Sequence, residues 1–189
     1  MSRSQPSDLY AHPRDIITEA VAEFGIDMTV DTCLALLDGH EDYALLPVPL
    51  AYLAGVHAVA KLERGDLASR QQGHWPRVWA ARTFRYVWLD RAGPGTAAAL
   101  SDPSWRVREM AAKVVSQRSV TIAADQLLSL LHDPEPRVRV AAVRALGVVG
   151  GAEHAVHLKA LEPADSSMRV AVDGALPALR LSGMRAPAQ

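Results

Sequence analysis

Four tryptophans, Trp75, Trp79, Trp88 and Trp105, stand in one stretch of the chain that also carries Arg77, Arg82, Arg85, Arg91 and Arg106. Indole rings beside guanidinium groups favour binding over catalysis. At protein interfaces these side chains anchor a partner. On nucleic acid the rings stack on bases while the cations meet phosphates. On a helix beginning at Trp75, the residues Trp75, Trp79, Arg82 and Tyr86 share one face, and Ala80, Ala81, Phe84 and Trp88 share another. A helix apolar on two sides is normally wedged between neighbours. Two readings follow: a buried helix whose arginines pair with acidic groups upstream, or a surface on which Trp75, Trp79, Arg82, Arg85, Tyr86, Trp105 and Arg106 hold a partner.

Other constellations offer less. His154 and His157, with Glu153 adjacent, are three apart on an expected helix. Zinc takes three or four ligands, and no second cluster of Cys or His accompanies them, so both histidines are expected on the exposed side of the helix. Gly93-Pro-Gly95-Thr-Ala-Ala98 fits a loose dinucleotide fingerprint, but that loop must follow a strand. A helix precedes it here, so the segment reads as a turn between helices. The chain has neither a nucleophile elbow nor a P-loop. His57 sits on an apolar stripe as a core or groove histidine, and Cys33 lies with Val30, Leu34 and Leu37 as a small core residue. No catalytic group, cofactor or metal is expected.

Composition sets the frame for these residues. The 189 residues carry 20 Lys+Arg against 21 Asp+Glu, with 49% hydrophobic residues and a mean hydropathy of +0.03, which is globular composition and excludes a disordered tail. The charge is unevenly spread. Residues 1–66 hold 4 basic and 11 acidic side chains, residues 67–120 hold 9 and 3, and residues 121–189 hold 7 of each. The tryptophans thus lie in the basic middle. One cysteine precludes an intrachain disulfide, and residues 1–13 read as a polar leader without a secretion-signal core, so a cytoplasmic location is expected. Tyr43 to Ala60 lacks Asp, Glu, Lys and Arg, but Pro47, Pro49 and Gly55 leave about a dozen apolar residues, the size of a core helix and not of a membrane span.

The elements that position these side chains repeat. Arg106-Val-Arg-Glu-Met-Ala-Ala-Lys-Val-Val115 superposes on Arg137-Val-Arg-Val-Ala-Ala-Val-Arg-Ala-Leu146 at an offset of 31, and Ser167-Met-Arg-Val-Ala-Val-Asp-Gly-Ala-Leu176 follows at 30. A weaker copy is Arg77 to Tyr86, with Tyr86-Val-Trp-Leu89 inside its helix. Within a copy Val138, Ala141, Ala142, Ala145, Leu146 and Val149 make a helical stripe. Asp102-Pro103 and Asp133-Pro134 read as N-cap followed by Pro at the first helical position. Shorter helices ending at Leu100, Leu130-Leu131 and Leu161 lie between the copies. Upstream, Ile16, Ile17, Ala20, Val21 and Phe24 form one amphipathic helix. Val30 to Leu37 forms a second stopping at Gly39, and Leu50, Leu53, Ala54 and His57 form a third ending near Gly65. No strand pattern survives. The expected organisation is a leader (1–13), a helical cap (14–65), two-helix repeats over 66–182 (about 75–101, 102–132, 133–162 and 163–182) and a loose tail (183–189). A unit of about 30 residues cannot bury its own stripe without stacked neighbours.

Asp-Pro-x-x-x-Val-Arg leading into an Ala-rich helix that closes on Ala-Leu-Gly, as in Asp133 to Gly147, resembles the HEAT repeat, in the short form of the phycobilisome lyase type. The resemblance implies an all-α solenoid that holds other macromolecules. It also implies a ladder in which an Asp and the Arg six residues later link successive repeats, a spacing met by Asp102 with Arg108 and Asp133 with Arg139. The outer copies depart from it, with Pro163 before Arg169 and Gln71 before Arg77, and read as capping units. HEAT-like hydroxylases carry iron on repeated His-Glu pairs, whose matching positions here are Val140-Ala141 and Glu109-Met110; the one His-Glu, His40-Glu41, lies outside the repeats. The alkylpurine DNA glycosylases are similar in architecture, but no catalytic motif beyond the fold matches, and Asp102 is claimed by the ladder. A non-enzymatic protein-binding scaffold is the first expectation, and a nucleic-acid binder using the basic middle is the second.

Overall fold

A computed structural model describes residues 5–69, 71–162 and 165–182. The expected loose tail, the first four residues of the leader and Pro163 lie outside them. The architecture is all-α, and no strand occurs among the described residues. The chain forms two compact units, residues 1–95 and 96–189.

In the first unit α1 (Pro13–Phe24) buries Ile16, Ile17 and Ala20, and α2 (Ile26–Leu37) buries Val30, Cys33 and Leu36. Gly25, at φ 85°, joins the two helices in a conformation that side chains with a Cβ resist. The third expected helix is broken into α3 (Ala51–Ala54) and α4 (Val56–Glu63) at Gly55. There the φ of 55° brings the backbone against the Leu9 carbonyl, which accepts the Val56 N–H at 2.9 Å. This break corrects the placement of His57. The stripe that begins at Leu50 and Leu53 does not continue through Gly55, and His57 emerges exposed. Residues 5–12 are tied down as well. Glu19 accepts from the Ser7 N–H and hydroxyl, and Tyr52 donates its hydroxyl proton to the Gln5 carbonyl at 3.0 Å.

The helix α5 (Trp75–Thr83) packs on α1, α2 and α3. It stops at Thr83, residues 84–89 are non-helical, and Tyr86-Val-Trp-Leu89 is therefore not the helix that its place in the weak copy implied. The Gly93-Pro-Gly95 segment is likewise not a turn. It lies within α6 (Ala92–Ala98), whose early Pro94 needs no N–H partner.

The second unit repeats one motif. The long helices α7 (Trp105–Arg118), α9 (Pro136–Val149) and α11 (Ser166–Ser182) pack in sequence, α7 on α9 and α9 on α11. The short helices α8 (Ala124–Leu130) and α10 (Ala155–Lys159) pack on α9 and α11 respectively. Val107, Val138 and Met168, equivalent in the three copies, are all buried. The middle helix is enclosed most fully: Val143, off the expected stripe, is buried too, because α9 has long helices on both flanks and α8 behind it. The helix caps differ from those expected. The N-cap residues are Ser104 and Glu135, and Pro136, not Pro134, takes the first helical position. Asp102 and Asp133 instead accept the N–H two residues on, at 2.7 and 2.9 Å, forming Asx turns that lead the chain into each helix.

Two predictions follow from this packing. A Cβ on Gly147 would sit 2.8 Å from Ala175 Cβ and 2.9 Å from its Cα, whereas one on Gly174 meets nothing within 4 Å. Both glycines are helical and gain about 1 kcal/mol of helix propensity as alanine. Chemical denaturation should therefore show Gly174→Ala stabilised by roughly that amount. Gly147→Ala should be destabilised by about 1–2 kcal/mol, because rigid neighbours stand where the methyl must go. In the first unit, burial pushes the Cys33 thiol up to about 12 despite a hydrogen bond with Thr83. Thiol-alkylating reagent at neutral pH should leave native Cys33 unmodified and label it only after denaturation.

Candidate functional site

The expected partner-binding residues separate into two groups. Trp79 is buried at 3% exposure, and α5 is wedged among the N-terminal helices. Arg82 donates from Nη2 to the Leu53 carbonyl at 2.8 Å, while its Nε meets no acceptor among the described residues. Burial pulls this guanidinium below its usual pKa, and the charge of Tyr86 offsets part of that effect. Trp79 and Arg82 are structural parts of the first unit and not a surface. Trp75 is half-buried. It stacks on Trp79 at 6.3 Å between ring centres, donates Nε1–H to Gln72, and carries Lys61 Nζ 5.5 Å from its own ring centre. Tyr86 meets His12 edge to face, and Arg85 is exposed. The pairing of acidic and basic segments is made by Arg91, which bridges Asp27 and Asp31 at 2.9 and 3.0 Å.

Trp105 and Arg106 stand elsewhere, on the first turn of α7. The Arg106 guanidinium lies 4.4 Å from the centre of the Trp105 ring, and that of Arg137, the first basic residue of α9, lies 5.5 Å away. Arg137 belongs to this cluster although only the repeat alignment pointed to it, as the counterpart of Arg106. Its place is fixed by Glu109, which accepts from Arg137 Nε at 3.2 Å and Lys113 Nζ at 2.8 Å. Lys113 and Arg144 occupy equivalent positions in the two copies. The result is a half-buried indole within a group of cations, with one largely buried carboxylate holding it together. Such an arrangement suits recognition of an acidic surface through cation–π and charge-assisted contacts.

Beside this cluster lies the linkage between copies. Arg108 donates Nε–H to Asp133 Oδ2 at 2.7 Å and Nη2–H to Oδ1 at 3.0 Å, a two-pronged bond from one copy to the next. Its Nη1 donates back to the carbonyls of Asp102 at 2.9 Å and Pro103 at 3.1 Å. Arg139 repeats the second half of this pattern, donating Nη1–H to the carbonyls of Asp133 at 2.8 Å and Pro134 at 3.3 Å. Within a copy the Arg thus meets the backbone of its own Asp-Pro turn, while the carboxylate is taken by the preceding copy. Asp165, two residues beyond the aligned Pro163, caps α11 by accepting the Met168 N–H at 2.9 Å.

His154 and His157 do not form a pair. His154 is buried, its Nδ1 accepting the Gly151 N–H at 3.0 Å and its Nε2 facing Asp125 at 3.3 Å, while His157 is exposed. The expectation of two exposed helix histidines fails for His154, because the chain enters α10 through a 3-10 turn (Ala152–His154) that folds its ring inward. No group of three or more His, Cys, Asp or Glu able to hold a metal occurs among the described residues. No described helix is long and apolar enough to cross a membrane.

A stack of two-helix units tied by an Asp–Arg bond defines the second unit as an α-helical repeat array. Residues 94–176 match the family model of HEAT repeats. The match is to HEAT repeats in general and does not reach the finer subtype. The comparison with curated proteins returned no match. HEAT repeats generally mediate protein–protein interaction.

Asp133 is the titratable centre of this linkage. Burial alone would raise its pKa, but hydrogen bonds from Arg108 and the Glu135 N–H, with the charges of Arg108 and Arg139, outweigh burial and lower it. Its stabilisation is therefore fully present above the unfolded carboxyl value of about 4 and is lost as pH falls through the lower folded value. Asp133→Asn should cost about 1.5–3 kcal/mol at neutral pH. Denaturation curves of variant and parent should converge as the medium is acidified below about pH 4.

Proposed function

We propose that the chain is a non-catalytic HEAT-repeat scaffold of the cytoplasm that holds an acidic protein partner on the surface around Trp105, Arg106 and Arg137. The observation that carries this reading is the indole flanked by two guanidinium groups, at 4.4 and 5.5 Å, on the adjacent first turns of α7 and α9. Trp and Arg dominate the energetic centres of protein interfaces, and their pre-assembly by Glu109 lowers the ordering cost of binding. Basic residues at equivalent positions in successive copies extend the same sign of charge along the helices.

The same side chains supply the alternative, nucleic acid, through stacking on Trp105 and phosphate contacts from the arginines. Affinity purification from native lysate, with the parent and with Trp105→Ala, tests the scaffold. The parent should recover a stoichiometric protein, and the variant should lose at least about tenfold of it, as expected for an interface anchor. Equal recovery by both, or recovery of no stoichiometric protein, overturns the proposal. Binding of a single-stranded oligonucleotide at low salt that weakens linearly in log[salt] would favour the alternative.

A further inference from the structure

The two arginines of the repeat linkage are placed alike but completed differently. Arg108 uses Nη1 on the backbone of its own turn and offers Nε and Nη2 to the carboxylate of Asp133 in the next copy. Arg139 makes the same two backbone contacts through Nη1. The residue aligned with Asp133 in the following copy is Pro163, which has no carboxylate to give. Asp165 is turned to its own helix, accepting from Met168 N–H. No carboxylate of the described residues meets the Arg139 Nε and Nη2.

Arg139 instead lines an open cleft of about 340 Å³ with walls from Leu131, Leu161 and Met168, and with His132 and Glu162 also lining it. Guanidinium Nε and Nη2 form a planar fork matched to the two oxygens of a carboxylate. The cleft is large enough for a side chain and the adjoining backbone of a short turn. We infer that it is a second recognition site, in which Arg139 receives the aspartate of an Asp-Pro turn from a partner protein, as Arg108 receives Asp133 within the chain. The apolar walls would cover the proline, and Glu162 would disfavour occupants with additional negative charge.

The site is separate from the Trp105 surface, so each can fail alone. The test is a titration of the full chain with the blocked peptide acetyl-Ala-Asp-Pro-Ala-amide, followed by the Nε–Hε NMR signal of Arg139. The Asp peptide should shift that signal saturably, and the Asn counterpart should bind about tenfold more weakly for want of the charged acceptor. Arg139→Lys should weaken the Asp peptide by a similar factor, Glu162→Gln should tighten it, and Trp105→Ala should bind it as the parent does. Equal shifts with the Asp and Asn peptides overturn the inference. So does equal binding by an Asn peptide with a free C-terminal carboxylate, which would make the site a reader of chain ends. Should Arg139→Lys fail to fold by circular dichroism, the Asp–Asn contrast and Glu162→Gln decide, and weaker binding by Glu162→Gln counts against the inference.

Discussion

The stripe of Val138, Ala142, Ala145 and Leu146 on α9 is the constraint on which the second unit depends. A helix of 14 residues presents more apolar surface than the short helix α8 packed behind it can cover, so it requires α7 on one flank and α11 on the other. Small residues make this possible. Ala111, Ala112, Ala141, Ala142, Ala145, Ala171 and Ala175 let the long helices approach closely, and Gly147 removes the last methyl where α11 crosses. Close approach increases dispersion contact, and no single large side chain fills the interface. The cost is sensitivity, because alanine-lined contacts cannot give way when an atom is added.

Apolar stacking is non-directional and does not set the register between copies. The Asp-Pro turn supplies the direction. Asp133 accepts the Glu135 N–H, which orients the chain entering α9, and the same carboxylate receives the fork of Arg108 from the copy before. One side chain therefore shapes the turn that leads into a helix and binds the arginine of the copy before. A salt bridge of this kind adds modestly to stability, since desolvation cancels much of the attraction. Its geometric demand is stringent, because two nitrogens and two oxygens must stay coplanar.

The repeated half is legible in the sequence because the copies carry Val-Arg or Met-Arg and, three residues on from that Val or Met, Met-Ala, Ala-Ala or Ala-Val, and the equivalent residues Val107, Val138 and Met168 are all buried. Less was legible where one residue redirects the chain. Gly55 breaks an apolar run whose composition favours an uninterrupted helix, and the positive φ that turns His57 outward depends on Leu9, distant in sequence. The 3-10 turn before α10 folds the His154 ring inward, where its Nε2 faces Asp125, 29 residues away. The face expected to hold Trp75, Trp79, Arg82 and Tyr86 admits two opposite readings; α5 ends before Tyr86, and Trp79 is buried among the N-terminal helices. Periodicity reveals that a face is apolar, not what covers it. The Trp105 cluster was half legible: Trp105 and Arg106 stood out by type, while Arg137 and Glu109 required the fold.

The repeat logic also explains why binding groups accumulate where they do. A position that must satisfy both its own helix and the next copy is held to Asp or Arg. Across the three aligned copies, positions 106 and 137 correspond to Ser167, and positions 113 and 144 to Gly174, so the basic residues belong to the first two copies only. Basic residues gathered there with Trp105 add no cohesion to the core, and the cluster uses Glu109 to keep mutually repelling cations together. Glu109 is largely buried, whereas its counterparts in the other copies are Val140 and Val170. A carboxylate in that place has a local role: it orders the cations of a surface that the repeats themselves do not require.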